Sequence, residues 1–260
     1  MQKTRYRGPH VITGPSPNVW ADMPDRLVID PAEGIYLFED FLSFPATAHD
    51  AVGNGWSYPG VNNVTTAMQT DQIGGVVRIG ATGADLDEAY LVYNNIGGMF
   101  KFISGQDLWF EARVKPSTVA AETSLMIGMV NEALVHITAM ADNTGILLVT
   151  NDFVGFHSVC ATPTVLRAAH VYAALGDVTN GTTTIAGTTW YKLGFSFVRG
   201  KLRFYVDNVQ VGADITVTSA PLPATFPYGE ELCPVIGVKC GDGVARSVDI
   251  DWVRAAMTRL

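Results

Sequence analysis

The stretch from Trp190 to Val211 constrains the fold most, because its apolar residues recur at every second position. This period places apolar side chains on one face of a β-strand. A break at Arg199-Gly200 divides the stretch, and its glycine accepts the positive φ that a tight hairpin needs. A second break at Asp207-Asn208 leads into a third short strand. The stretch therefore predicts an antiparallel meander inside an all-β sheet.

Further strand-like runs recur along the chain, separated by turn residues at short intervals, which favours a sandwich or jelly roll. These runs lie at 34–38, 75–79, 89–93, 99–103, 108–115, 125–130, 135–139, 146–150 and 153–160. The segment from Val165 to Leu175 stays open between helix and strand, since it contains helix formers at helical spacing. The threonine-rich run from Thr182 to Thr189 predicts an exposed loop.

Composition narrows the class of protein. The chain has 260 residues, enough for one large sandwich domain, and only 16% of them are charged. A surface poor in charge is typical of a subunit that neighbours cover, or of a sandwich with a large core. The net charge of −8 argues against binding nucleic acid.

Cysteine usage and hydropathy indicate where the chain is made. Cys160, Cys233 and Cys240 are odd in number and lack metal-type spacing, so we expect buried thiols from a reducing compartment. No apolar run reaches the roughly 18 residues of a membrane span, and no signal-peptide core follows Met1. We therefore expect synthesis in the cytoplasm and no membrane partner.

Residues 1–33 differ from the remainder of the chain. Prolines interrupt any periodic pattern there, which predicts an extended arm before a sandwich at 34–260. The arm has a small basic cluster, and we take it as a candidate contact surface whose residues are Lys3, Arg5, Arg7 and Trp20. We expect neighbouring subunits to hold this arm in place.

The order of segments resembles the concanavalin A-like lectin/glucanase jelly-roll superfamily. The matching pieces are WFEARVK at 109–115, LMIGM at 125–129, WYKLGFSFV at 190–198, FYVDNVQV at 204–211 and VDIDWV at 248–253. The resemblance covers roughly residues 35 to 258 and consists of a pattern of strands. It implies an all-β concanavalin A-like jelly-roll β-sandwich that follows an extended N-terminal arm.

Within that superfamily the chain looks most like virion structural proteins of tailed bacteriophages. This resemblance implies a capsid decoration or cement protein that binds the major capsid protein on the virion surface. Such a protein adds buried area across capsid seams and stabilises the shell by mass action. Because capsid sites repeat around symmetry axes, we expect a homo-oligomer, with a trimer slightly preferred over a dimer.

Hydrolases of this superfamily carry a Glu-x-Asp-x-x-Glu run on a central strand, and this chain has none. Asp249 and Asp251 alternate on the last strand, but we expect them to be ordinary exposed carboxylates. Asp85, Asp87 and Glu88 lack a full set of calcium ligands, and the five histidines form no zinc motif. The sequence therefore predicts no enzyme and no cofactor.

The best ligand candidate is the loop around Trp56 and Tyr58, followed by Asn62 and Asn63. Aromatic rings among amides could stack on a sugar and bond its hydroxyls, and a host glycan would then be the partner. In the competing interpretation, the two rings hold a long loop against the sandwich or a neighbour. The first interpretation supports an alternative function, a carbohydrate-binding module of a tail fibre or spike.

Overall fold

The computed structural model describes residues 14–42, 55–61, 64–70, 74–93, 97–120, 122–131, 140, 152–172, 177–217 and 225–259. Within these ranges the chain forms sixteen strands and one short 3-10 helix, Asp25–Val28. The first eight strands are β1 (Gly34–Glu39), β2 (Trp56–Ser57), β3 (Gly60–Val61), β4 (Val64–Met68), β5 (Val77–Ala81), β6 (Glu88–Tyr93), β7 (Leu108–Pro116) and β8 (Thr123–Asn131). The others are β9 (Phe153–Val159), β10 (Thr162–Val171), β11 (Asp177–Thr184), β12 (Tyr191–Val198), β13 (Lys201–Val206), β14 (Val209–Thr216), β15 (Leu232–Cys240) and β16 (Arg246–Thr258).

The strands form two antiparallel sheets. Sheet A has the order β14-β13-β12-β7-β16-β5-β4, with β1 paired to the second half of β16. Sheet B has the order β11-β10-β9-β8-β15-β6-β2, with β3 also paired to β6. The predicted all-β sandwich is therefore confirmed. Among the described residues, no helix is long and apolar enough to cross a membrane.

The meander predicted at 190–211 is confirmed as β12, β13 and β14. Val198 pairs with Lys201 across the first turn, where Arg199 and Gly200 have φ of 52° and 72°. The second turn uses Asp207 and Asn208, also at positive φ. Two consecutive residues at positive φ form the turn whose twist matches that of the flanking strands, so local chemistry fixes this hairpin register.

Two segments differ from their sequence patterns. The ambiguous segment at 165–175 is a strand as far as Val171, because β10 pairs on both sides with β9 and β11. The predicted loop at 182–189 is wrong in its first half, since β11 continues to Thr184 and pairs with β10 as an edge strand. Threonine suits an edge strand because its β-branched side chain favours the extended backbone and its hydroxyl can hydrogen-bond to water.

The core lies between the two sheets. Alternate residues of β7, among them Phe110 and Ala112, point into it, and Phe195 and Phe204 meet them from β12 and β13. The Phe110 and Phe195 rings stack with centroids 5.4 Å apart. Each buried phenylalanine contributes roughly 1.5–3 kcal/mol relative to an exposed one, so this aromatic layer stabilises the sandwich strongly.

The described part of the predicted arm, residues 14–33, lies on the outer face of sheet A. Trp20 packs there beside Trp109 and Tyr205, and Leu27 covers the start of β1 at Gly34. The basic residues Lys3, Arg5 and Arg7 lie outside the described residues. The division into an arm and a sandwich at residue 33 stays a prediction.

Candidate functional site

The structure places the two aromatic residues of the predicted ligand loop inside the protein. Trp56 and Tyr58 are 1% and 3% exposed, and both belong to the core between the sheets. The Trp56 ring packs against Phe41 at 5.5 Å and against Tyr93 at 5.1 Å between centroids. These rings therefore present no open face for a sugar, whereas Asn62 and Asn63 lie outside the described residues.

Trp20 is held within its own chain by a buried carboxylate that the sequence pattern did not single out. Glu111, on the outward side of β7, is completely buried and accepts hydrogen bonds from Trp20 Nε1 at 2.7 Å and Ser16 N at 2.9 Å. The Arg254 guanidinium lies 4.0 Å from the centre of the Trp20 ring. Burial raises the pKa of Glu111, and the hydrogen bonds from the arm offset part of that rise.

The predicted acidic loop provides no metal cage. Asp87 accepts hydrogen bonds from Thr82 Oγ1 at 3.1 Å and Ala84 N at 2.9 Å, which closes the turn before β6. Glu88 points away toward Lys239 on β15. No group of three or more metal-binding side chains occurs in the part of the chain that the structure describes.

The outer face of sheet B carries a buried charge pair. Lys239 Nζ lies 2.8 Å from Glu88 Oε1 and donates a second hydrogen bond to the carbonyl of Met140 at 3.0 Å. The Tyr90 hydroxyl also donates to Glu88. Burial raises the pKa of Glu88, although the contacts from Lys239 and Tyr90 act in the opposite direction.

Sheet B shows no paired acids on its central strands. β9 has the sequence FVGFHSV and therefore contains no carboxylate. Its outward residue His157 is fully buried and lies opposite Arg167 on β10 and Met126 on β8.

The outer face of sheet A instead assembles charged residues from three strands, β5, β7 and β16, and from the loop after β1. Asp249 of β16 is 3% exposed and lies between two cations. Arg78 of β5 donates to both of its oxygens, at 2.6 and 3.0 Å, and Lys115 Nζ of β7 lies 2.9 Å away. Burial alone would raise the pKa of Asp249, but the hydrogen bonds and charges of the two cations outweigh it and lower the pKa.

The second acid of β16 forms the next layer of this surface. The Arg113 guanidinium donates to Asp251 Oδ2. The same guanidinium lies 4.3 Å from the centre of the Trp190 ring, and Lys115 Nζ lies 4.9 Å from it. Trp190 is only partly buried, and the two cations that lie over its ring position the indole next to the ion pairs. Asp249 and Asp251 are 3% and 7% exposed, so the expectation that they are exposed carboxylates is wrong.

A third carboxylate reaches this surface from the loop after β1. A methyl group on the Cα of Gly74 would lie 3.8 Å from Asp40 Oδ1 and 3.8 Å from Asp251 Oδ1. The distance between these two oxygens is therefore at most twice 3.8 Å, which is 7.6 Å. Burial raises the pKa of Asp40, and the charges of Asp251 and Glu39 raise it further. Asp40 therefore lies near Asp251, the carboxylate to which Arg113 donates, and the two carboxyl groups have unlike environments.

This arrangement, which we call the sheet A site, consists of Asp40, Asp251, Arg113 and Trp190. Asp40 is suited to hold a proton, Asp251 has a cationic partner, and an indole ring lies alongside. Two carboxyl groups with separated environments are the usual basis of acid–base chemistry at one site. Sequence reasoning singled out Asp251 but missed Asp40, which only the antiparallel pairing of β1 with β16 brings near it.

Comparison with known proteins identifies the fold. No family model matches the chain, and no curated protein matches it. A protein of unknown function from Shewanella oneidensis MR-1 is similar in structure, with 16% identity, 87% of each chain covered and a TM-score of 0.59. A non-specific endo-β-1,3(4)-glucanase of family GH16 has 14% identity over 88% of this chain and 96% of that chain, with a TM-score of 0.56. A laminarinase from Flavobacterium sp. UMI-01 has 14% identity over 84% of this chain and 98% of that chain, with a TM-score of 0.54.

At these identities the likeness shows the fold, and the predicted concanavalin A-like jelly roll is confirmed. The comparisons also correct one prediction. The expectation that the chain is not an enzyme is wrong, because the solved structures that share its fold include the glucanase and the laminarinase. The resemblance to virion proteins, which is finer than the fold, is not decided by these structures.

Proposed function

We propose that the protein acts on a carbohydrate and hydrolyses a glycosidic bond at the sheet A site. The observation that carries the proposal is the approach of Asp40 to Asp251 above Gly74. Paired carboxylates catalyse glycoside hydrolysis when one donates a proton and the other attacks or activates water. The solved glucanases of the same fold support a carbohydrate as the substrate.

Each residue has a distinct part in the proposed reaction. Asp40, whose pKa is raised, gives its proton to the glycosidic oxygen as the bond from that oxygen to the anomeric carbon breaks. Asp251 either adds to the anomeric carbon or takes a proton from the water that adds there. Carboxyl separations of about 5–5.5 Å favour the first route and about 6.5–9.5 Å the second. Arg113 positions Asp251, and Trp190 offers a face for a sugar ring.

The test is the release of reducing ends from a panel of polysaccharides, with laminarin as the first neutral substrate. We expect Asp40→Asn to lower the rate at least about a hundredfold, as the loss of a general acid does. Asp251→Asn should lower it as much. The control is Asp214→Asn, which removes an exposed carboxylate that pairs with Arg203 at 3.0 Å. Folding of each variant is checked by its unfolding midpoint.

Two results would overturn the proposal. One is that no polysaccharide of the panel is cleaved by the intact chain. The other is that a cleaved substrate is cleaved equally fast by Asp40→Asn. Because Asp40 is partly exposed and lies in a loop, its amide variant should fold, so a lost rate would not come from a lost structure.

A second candidate function is the virion role implied by the resemblance, a capsid decoration protein that binds the major capsid protein. The observation that favours it is exposed apolar surface on a chain poor in charge. Ile29 is 82% exposed, Leu42 76% and Val209 66%. Burial of such side chains by a partner subunit would stabilise an assembly. Deletion of residues 1–33 followed by measurement of capsid occupancy tests it, and unchanged occupancy would contradict a role for the arm.

A further inference from the structure

The cationic end of the outer face of sheet A lies directly beside the proposed site. Arg78 and Lys115 share one carboxylate, Asp249, so this end of the surface has one positive charge in excess. The acid is also the least accessible of the three. The side chain of Asp249 is 4% exposed, against 43% for Arg78 and 23% for Lys115. A ligand that approaches from solvent therefore meets the two cations before the carboxylate.

The spacing of this end from the proposed catalytic pair suits a polymer. Lys115 and Arg113, the cations that bind Asp249 and Asp251, are two positions apart on β7, which corresponds to about 6–7 Å along a strand. That is on the order of the length that one sugar residue occupies in a glycan chain. Lys115 contacts both Asp249 and the Trp190 ring, so it links the cationic end to the aromatic face.

The charge of the whole molecule works against anions. The net charge is −8, so the overall field repels a polyanion, and any attraction has to come from these local cations. A guanidinium held in a fixed plane by a carboxylate is well suited to receive a second carboxylate or a sulfate. Arg78 is held in this way by its two hydrogen bonds to Asp249.

From these contacts we infer that the substrate is an acidic polysaccharide, whose carboxylate or sulfate groups bind to Arg78 and Lys115 one sugar away from the cleaved bond. This inference rests on the proposed function, because it names the substrate class of the same surface. It adds a subsite that is separate from the two carboxylates that do the chemistry. A carboxylate and a sulfate can both accept hydrogen bonds from Arg78 and Lys115. Polymers that carry only carboxylates or only sulfates therefore show which of the two groups binds.

The experiment measures binding of the intact protein to three polymers: neutral laminarin, polygalacturonate as the carboxylate polymer, and dextran sulfate as the sulfate polymer. We expect at least one acidic polymer to bind about tenfold or more tightly than laminarin, with the preference reduced by salt. Arg78→Gln should remove that preference, and Arg78→Lys should keep only part of it, because lysine retains the charge but not the planar pair of donors. Arg203→Gln, which removes an arginine paired with Asp214 elsewhere on sheet A, is the matched control.

The outcomes separate this inference from the proposed function. Cleavage of laminarin with no preference for acidic polymers overturns the subsite and leaves the hydrolase proposal standing. An acidic preference that Arg78→Gln does not alter also overturns the subsite. An acidic preference that depends on Arg78, in a protein that cleaves nothing, supports the subsite while the hydrolase proposal fails. A preference in Arg78→Lys that lies between those of the intact protein and Arg78→Gln supports the subsite, because lysine keeps the charge and loses the paired donors.

Discussion

Replacement of Lys239 by methionine isolates the buried charge pair of sheet B. Lys239 is 2% exposed and Glu88 is completely buried, so the variant leaves a carboxylate without its cation in the interior. Removal of one partner of a buried pair costs about 3–5 kcal/mol. The free energy of unfolding at pH 7 should fall by that amount, which for a chain of this size lowers the urea midpoint by about 1 M or more.

The pH dependence of the loss gives a second signature. Burial already raises the pKa of Glu88 above its ordinary value of 4.5, and without Lys239 it rises further. When the pKa of a carboxyl group is higher in the folded state than in the unfolded state, its ionisation lowers the free energy of unfolding. That loss begins as the pH rises above the pKa of the unfolded state. The cost of Lys239→Met should therefore be small near pH 4.5 and grow as the pH rises above it.

Two further variants make the reasoning refutable. The double variant Glu88→Gln with Lys239→Met removes both charges while an acceptor stays for Tyr90, so it should recover most of the loss. Lys201→Met is the control, because Lys201 is half exposed and lies 4.0 Å from Asp214, where a pair contributes at most about 0.5–1 kcal/mol. The reasoning fails if Lys239→Met is no worse than the control at pH 7, or if the double variant is no better than Lys239→Met alone.

Three other outcomes follow from the contacts described above. Glu111→Gln should raise the rate of hydrogen exchange of residues 14–20 at least tenfold and shift the tryptophan fluorescence, to which Trp20 contributes, to longer wavelength. The reason is that a neutral amide accepts the hydrogen bonds from Ser16 and Trp20 more weakly than a carboxylate does. An unchanged exchange rate would show that other contacts hold the arm. Gly212→Ala should destabilise the fold by about 1–3 kcal/mol in thermal unfolding, since Gly212 has a φ of 77° and its new methyl would meet the Asn180 carbonyl. Any glycan cleavage should decline on the alkaline side as the pH passes the raised pKa of Asp40, and a flat pH profile there would remove Asp40 as the proton donor.

The sequence predicted those parts of the fold that depend on neighbouring residues. Alternation along β7 and β12 reports which residues face the core, and the turn at Arg199-Gly200 fixes one register locally. The same pattern left β10 ambiguous, because its alanines and leucine fit either period and only its pairing with β9 and β11 decides. Local patterns therefore determine strands and hairpins better than they determine partners.

Local sequence patterns could not predict most of the candidate site. Asp40 and Asp251 meet because β1 pairs with β16, a register between distant segments that no local pattern contains. The burial of Glu111 likewise depends on the arm folding back onto β7. Trp56 and Tyr58 show the same limit, because the sequence leaves open whether they bind a sugar or hold their loop against the sandwich, and their burial agrees with the second interpretation.

β16 has a consequence for how the chain acquires its structure. It pairs with β1 at one end, with β5 at the other and with β7 along most of its length, so it supplies the middle of sheet A from residues 246–258. The ribosome has therefore already made the other fifteen described strands before sheet A can close. Until then β1, β5 and β7 lack their central partner, and these long-range pairings make folding slow and leave strand edges open to aggregation during synthesis.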